Sequence, residues 1–208
     1  LNMADLAVRI AAASPDDQTL LKGAALLLMV VFGIKAAILP LLFWLPRAYS
    51  ASSAPVAALF AIMTKVGIYA ILRMQALAFS DGPLAGLGSD LLWWLALVTL
   101  ALAAIGALAA QRLGGLVAYL VVMSVGTLVA ALSLGDPETV GPALYYLIHS
   151  TLICGALFLL CDLLRRSRGD SDDRLESGPP LAHGNWLGAA FFAAAVAVIG
   201  LPPLMDSS

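Results

Sequence analysis

Apolar stretches of about twenty residues, repeated along the chain, decide what it can become. A helix needs roughly 20 mostly apolar residues to cross the hydrocarbon core of a bilayer. The stretches predict spans of about 24–45, 55–73, 91–110, 116–134 and 141–161, and an incomplete one over 187–203. Apart from Arg73 at an edge, Lys35 and Lys65 are the charges inside the first five. A buried helix of a soluble core would rarely repeat this pattern so often, and barrel strands would be about half as long with alternating polarity. Composition closes the other options. Of the 208 residues, 62% are hydrophobic and 12% charged, against about 45–50% apolar and about 25% charged in a soluble domain. That excludes an ordinary soluble domain, a disordered chain and a nucleic-acid binder. The formal net charge of −2 gives no dominant field. The expected fold class is all-α, a polytopic transmembrane helix bundle forming a single membrane domain over 1–208.

The connections are short and polar. Ser50-Ala51-Ser52-Ser53-Ala54-Pro55 reads as a helix start, with a hydroxyl cap and proline in the first turn. Asp81-Gly82-Pro83 and Gly135-Asp136-Pro137 are turn signals. A polar loop over 165–186 reads as a solvated linker, and residues 3–13 have the spacing of a helix lying along the membrane surface. Arg9, Lys22 and Arg73 fall on one side of the membrane. Arg47, Arg112, Arg165, Arg166, Arg168 and Arg174 fall on the other, which the positive-inside rule makes cytoplasmic. Cys154 and Cys161 share one apolar run without metal-ligand spacing and read as small core residues rather than a disulfide. The chain opens Leu1-Asn2-Met3 and stops soon after a proline pair, so it is read as a fragment.

Two lysines near mid-membrane are the residues most in need of explanation. A centred lysine costs roughly 2.5–3.5 kcal/mol on the insertion scale, and the default reading of such a group is an ion or proton path. A lysine snorkelling to the interface or paired with an acid is the structural alternative, although the sequence offers no acid near Lys35 or Lys65. In a dry interior the neutral amine is favoured, so a lysine there can take up and release protons. Pro40 follows Lys35 inside the same run, where proline removes a helix hydrogen bond. Freed carbonyls are tolerated at that depth only where protein or a wet cavity satisfies them. Pro202 and Pro203 offer a second break, and paired broken helices point to transporter inverted repeats. A simple kink, or for the second pair a helix end, fits equally well. His149 has Tyr145 and Tyr146 on its helical face. Spacing alone favours a satisfied core histidine over a proton relay. Ser124 and Thr127 could form a polar track, but bonding back to their own helix is the simpler reading. The sequence has no phosphate loop, Cys/His metal cluster, haem motif or dinucleotide fingerprint, so no cofactor and no metal site is expected.

The run from Phe32 through Lys35 and Pro40 to Trp44-Leu45-Pro46-Arg47-Ala48-Tyr49 resembles the signature of proton-translocating antiporter-like subunits. Respiratory complex I, membrane-bound hydrogenases and multisubunit cation/proton antiporters share that family. Thr64-Lys65-Val66-Gly67-Ile68-Tyr69-Ala70-Ile71-Leu72-Arg73 is similar to the family's next helix. Leu1-Asn2-Met3-Ala4-Asp5-Leu6-Ala7 and Ala143-Leu144-Tyr145-Tyr146-Leu147-Ile148-His149-Ser150-Thr151-Leu152 are most similar to the D-type branch of multisubunit Na+/H+ or K+/H+ antiporters (Mrp, Mnh or Pha type). The resemblance implies an antiporter-like fold with inverted repeats and a broken helix in each, in a multi-pass protein of the bacterial inner membrane. It implies a secondary transporter component rather than an enzyme, working with other subunits of the complex on protons and Na+ or K+. Lys35 matches the broken-helix lysine, Lys65 that of the following helix, and His149 a histidine on the polar axis between two half-channels. Complex I relatives usually carry histidine where Leu42 stands and Asp-Ala-His where Arg47-Ala48-Tyr49 stands, which favours the antiporter branch. A proton-pumping membrane component of NADH-quinone oxidoreductase or a related hydrogenase is the alternative. Met205-Asp206-Ser207-Ser208 departs from the family's expected continuation.

Overall fold

The computed structural model describes residues 3–77, 82–168, 173–176 and 184–199. In chain order the helices are α1 (Met3–Ala11), α2 (Gln18–Ala36), α3 (Trp44–Ala51), α4 (Ala54–Leu77), α5 (Ser89–Ala109), α6 (Leu113–Ser133), α7 (Pro137–Arg168) and α8 (Gly184–Ile199). Short 3-10 turns at Leu41–Phe43 and Gly82–Leu84 interrupt the connections. No strand occurs among the described residues, and the all-α membrane bundle expected from the apolar runs is what forms. Five helices, α2 and α4–α7, are long and apolar enough to cross a membrane.

Helix ends follow local chemistry. Gly135, at φ 66°, closes α6 in the left-handed conformation that glycine adopts without steric cost. Asp136 then caps α7, its Oδ1 accepting the Glu138 N–H at 3.0 Å. Pro137 occupies the first turn, where its missing N–H is no loss. Glu138 in the first turn and Arg165, Arg166 and Arg168 in the last both complement the helix dipole. At α4, the Ser53 carbonyl accepts the Ala57 N–H at 2.9 Å and Pro55 sits in the first turn.

Small residues let the helices approach closely, as membrane packing requires. Gly126 of α6 lies against Leu100 and Ala96 of α5, and Gly67 of α4 lies against the backbone of α2 at Phe32, Lys35 and Ala36. The main core gathers Leu42, Leu45 and Tyr49 between Ala57 and Ala61 of α4, Val117 and Val121 of α6, and Cys154 and Phe158 of α7. Both cysteines are buried and free, consistent with small core residues. Outward faces remain apolar, with Leu27, Val31, Leu59, Trp94, Leu108 and Leu152 exposed. A helix that is hydrophobic all round suits lipid contact.

Three expectations need correction. The first span starts at Gln18 rather than residue 24, and its helix stops at Ala36 instead of running on to residue 45. The loop over 165–186 is helical to Arg168, because α7 carries its arginines in its own last turn. Nor is that loop simply solvated. Asp173 is buried against the start of α6, with Leu113 N–H donating to its carbonyl at 2.8 Å and Leu175 N–H donating to the Gln111 carbonyl at 2.9 Å. Pro202 and Pro203 lie outside the described residues.

Candidate functional site: a buried lysine and its polar cavity

The chain between α2 and α3 is where the helix gives way. Ala37 takes the left-handed conformation at φ 57°. Its N–H bonds to the Ile34 carbonyl at 3.1 Å and the next N–H, of Ile38, to the Gly33 carbonyl at 3.0 Å, the paired closure of a Schellman cap. The Trp44 indole N–H also donates to the Ile34 carbonyl, at 3.1 Å. Past the cap, the Leu39 N–H donates to Thr99 Oγ1 of α5 at 3.1 Å, and the Thr99 hydroxyl donates to the Leu95 carbonyl at 2.6 Å. Pro40 follows, with no N–H to satisfy, across a cis peptide bond. The Gly33 and Ile34 carbonyls and the Ala37, Ile38 and Leu39 N–H groups are thus met by protein, as burial at membrane depth demands.

Lys35 sits in the last turn of α2 and is exposed, not turned into the helices of this chain. Depth along the sequence suggests an inward lysine. The inward face belongs instead to Gly33, Ala36 and Ala37. The missing Cβ of Gly67 lets α2 and α4 close here, since a Cβ would meet the Ala36 nitrogen at 2.9 Å. Lys35, about 100° around the helix from Ala36, is left on the open side.

Lys65 is the opposite case. It is 2% exposed on α4 and donates from Nζ to Ser124 Oγ of α6. The Ser124 hydroxyl proton is committed to the Val121 carbonyl at 2.7 Å, so an oxygen lone pair faces the lysine. Among the described residues no carboxylate pairs with Lys65. One residue earlier, Thr64 shares a buried 2.6 Å hydrogen bond with the Tyr49 hydroxyl and reaches the Phe60 carbonyl at 3.0 Å. Sequence reasoning misses Tyr49 and Thr64, since their partnership spans a helix break and leaves no local pattern.

Ser124 forms part of the wall of a cavity of about 230 Å³ between α5, α6, α7 and α8. Thr127, Tyr146, His149, Ser150 and Cys154 supply the rest of its polar lining. Thr127 bonds back to the Met123 carbonyl at 3.1 Å and Ser150 to the Leu147 carbonyl at 3.3 Å. Ser124 and Thr127 thus both bond back to their own helix and both line the cavity. The Ser124, Thr127 and Ser150 hydroxyls each spend their proton on their own helix and turn lone pairs outward. His149 is half-buried, with Nε2 at 3.0 Å from the Ala197 carbonyl of α8 and its ring stacked on Tyr145 at 5.9 Å. The structure thus brings Ser124, Thr127 and His149 to one cavity, ties Lys65 to its wall through Ser124, and leaves Lys35 apart. Among the described residues there is no group of acids, histidines and cysteines able to hold a metal ion.

Residues 6–206 match the family described as NADH:quinone oxidoreductase/Mrp antiporter, transmembrane. The chain belongs to this family. Within it, the chain is 41% identical over 224 residues to a protein of Rhizobium meliloti (strain 1021) named as the probable D component of a K(+)/H(+) antiporter, covering 98% of this chain and 42% of that protein. It is 39% identical over 206 residues to the D component of the Na(+)/H(+) antiporter of Bacillus subtilis (strain 168), covering 98% and 41%. One chain in the structure of the Mrp complex from Dietzia sp. DQ12-45-1b superposes with TM-score 0.79 at 29% identity, covering 97% of this chain and 36% of that one. The chain therefore spans about two fifths of the length of the curated relatives it matches.

Proposed function

We propose that this chain forms part of the membrane portion of a multisubunit monovalent cation/proton antiporter, a secondary transporter that exchanges Na+ or K+ for H+ in the bacterial inner membrane. The observation that carries the reading is the buried ammonium of Lys65, held by a hydroxyl rather than a carboxylate at the edge of a polar cavity containing His149. A lysine paired with an acid would be fixed in its charged form. A lysine bonded to a neutral hydroxyl can lose its proton without stranding a partner charge. The cavity has room for several waters, and its lone-pair-rich wall suits a hydrogen-bonded chain from Lys65 Nζ past Ser124 and Thr127 to the His149 imidazole. The names of the relatives support the same reading, and they support other subunits of an antiporter complex as partners.

Lys35 is proposed as a second proton-exchanging group at the break. An ammonium at that depth costs roughly 2.5–3.5 kcal/mol against lipid, so its open face is proposed to be covered by protein in the assembled complex. The alternative, a pumping component of an NADH-quinone oxidoreductase, draws on the family description itself. The test is reconstitution of the complete complex in proteoliposomes with a lumenal pH dye. Imposing a Na+ or K+ gradient without NADH or quinone should drive proton movement. Proton movement only during NADH oxidation would overturn the antiport reading in favour of the alternative.

A further inference from the structure

The cavity that Lys65 reaches through Ser124 is walled by oxygens with no proton left to give. Ser124 donates to the Val121 carbonyl at 2.7 Å, Thr127 to the Met123 carbonyl at 3.1 Å and Ser150 to the Leu147 carbonyl at 3.3 Å. A hydroxyl whose proton is committed keeps its lone pairs, so α6 and α7 together present acceptors to one space. Ser150 is only 6% exposed, which holds its oxygen away from bulk water. Among the described residues no carboxylate, lysine or arginine lines the cavity. Neutral oxygens of this kind suit a monovalent cation, which must trade part of its hydration shell for protein oxygens and still be released. A cavity of about 230 Å³ admits such an ion with several waters, since each water takes about 30 Å³. Lys65 decides when the ion can enter. Its Nζ is bonded to Ser124 Oγ, so a cation on that same oxygen would stand one atom away from the ammonium. Two like charges so close in a dry site repel strongly. The inward titratable groups around Lys65 and the cavity are Tyr49 of α3, whose hydroxyl is taken by Thr64, and Tyr146, His149 and Cys154 of α7. Lys35 of α2 is exposed, so no second ammonium opposes the ion once Lys65 is neutral.

We propose that this cavity is a transient site for the transported monovalent cation, with the Ser124, Thr127 and Ser150 oxygens as ligands, and that cation occupancy and protonation of Lys65 exclude each other. The proposal rests on the antiport reading above and names the cation site for it. The exchange balances. The Lys65 ammonium gives one proton to the cavity waters and becomes a neutral amine, and one cation enters with its remaining waters. When the cation leaves, Lys65 takes up a proton again. The region holds one positive charge in either state.

Ser150→Ala removes one ligand and leaves the helix intact. In proteoliposomes carrying the complete complex, proton flux is to be measured against Na+ concentration, and separately against K+ concentration, at several pH values. In wild type the apparent KM for the cation should rise as the pH falls, because protonated Lys65 bars the site. Ser150→Ala should raise that KM roughly tenfold at each pH, the worth of one polar contact to a charge, with flux at saturating cation near wild type. Thr127→Val, the second variant should Ser150→Ala disturb assembly, should raise KM likewise. Ser133→Ala is the control, since its hydroxyl also bonds back to its own helix but lines a different cavity. The ion whose KM shifts is the one the site takes. Unchanged KM in both Ser150→Ala and Thr127→Val would overturn the site. So would a loss of maximal flux at unchanged KM, which would place these hydroxyls in the proton path only. A wild-type KM that ignores pH would overturn the exclusion by Lys65. A wild-type complex that moves no protons under a cation gradient would overturn the antiport reading, and the proposal with it.

Discussion

Gly67→Ala adds one methyl group at the contact that shapes the helix break. A Cβ there would meet the Ala36 nitrogen at 2.9 Å, the Phe32 oxygen at 3.1 Å and the Lys35 carbonyl carbon at 3.2 Å. Favourable carbon contacts lie near 3.5–4.0 Å, so α4 and α2 must separate by roughly half an ångström. All three atoms are backbone in the last turn of α2, so no side chain can swing aside. Overpacking of this kind costs typically about 1–3 kcal/mol. Alanine recovers about 0.5–1 kcal/mol of helix preference over glycine, leaving a net loss of roughly 1–2 kcal/mol. Gly23, also in α2, has nothing within 4 Å of its would-be Cβ and serves as the control. Thermal unfolding of the detergent-solubilised complex, followed by loss of the monodisperse peak, should show Gly67→Ala melting several degrees lower and Gly23→Ala unchanged or slightly higher. Cation-driven proton flux should fall with Gly67→Ala, because the displaced turn carries Lys35 and the cap at Ala37. Equal melting for the two variants would show that the α2–α4 contact does not hold the break.

His149→Gln keeps hydrogen-bonding capacity toward the Ala197 carbonyl but cannot carry a proton. It should slow antiport sharply, as should His149→Ala, with membrane insertion intact, and a Gln variant that transports like wild type would make His149 a structural partner only. Lys35→Ala should abolish cation-dependent proton movement in inverted vesicles while the complex still assembles, and normal transport would remove Lys35 from the path. Asp136→Ala removes the α7 cap and should cost about 1 kcal/mol of stability, measurable by the same thermal assay, with little effect on flux at low temperature.

The helices are legible in the sequence because lipid demands long apolar runs, and such runs survive in one dimension. Pro40 marks the neighbourhood of the break for a similar reason, since a missing N–H is a local fact. The facing of Lys35 is not legible from depth. It goes with the close approach of the α2 backbone at Phe32, Lys35 and Ala36 to Gly67, which leaves Gly33, Ala36 and Ala37 buried and the lysine outward. Lys65 can be marked from sequence as buried and ionisable, but its acceptor Ser124 stands 59 residues away on another helix. Asp173 is hidden inside a polar stretch that reads as solvent-facing. Its cap on Gly114 is equally distant in sequence, and no periodicity records such a contact.

Lys65→Met separates chemistry from folding. Methionine matches the length of the buried stem and removes an ammonium that no carboxylate balances among the described residues. Ser124 keeps its bond to the Val121 carbonyl, and relieving an uncompensated buried charge is neutral or stabilising. Melting temperature and cation-driven proton flux are to be measured on the same preparation of the complete complex. The expected result is a melting temperature at or above wild type with flux abolished, and the same loss of flux in Lys65→Arg, whose guanidinium does not deprotonate. Wild-type flux in Lys65→Met would contradict the assignment of Lys65 as a proton carrier and leave the cavity around His149 without its donor.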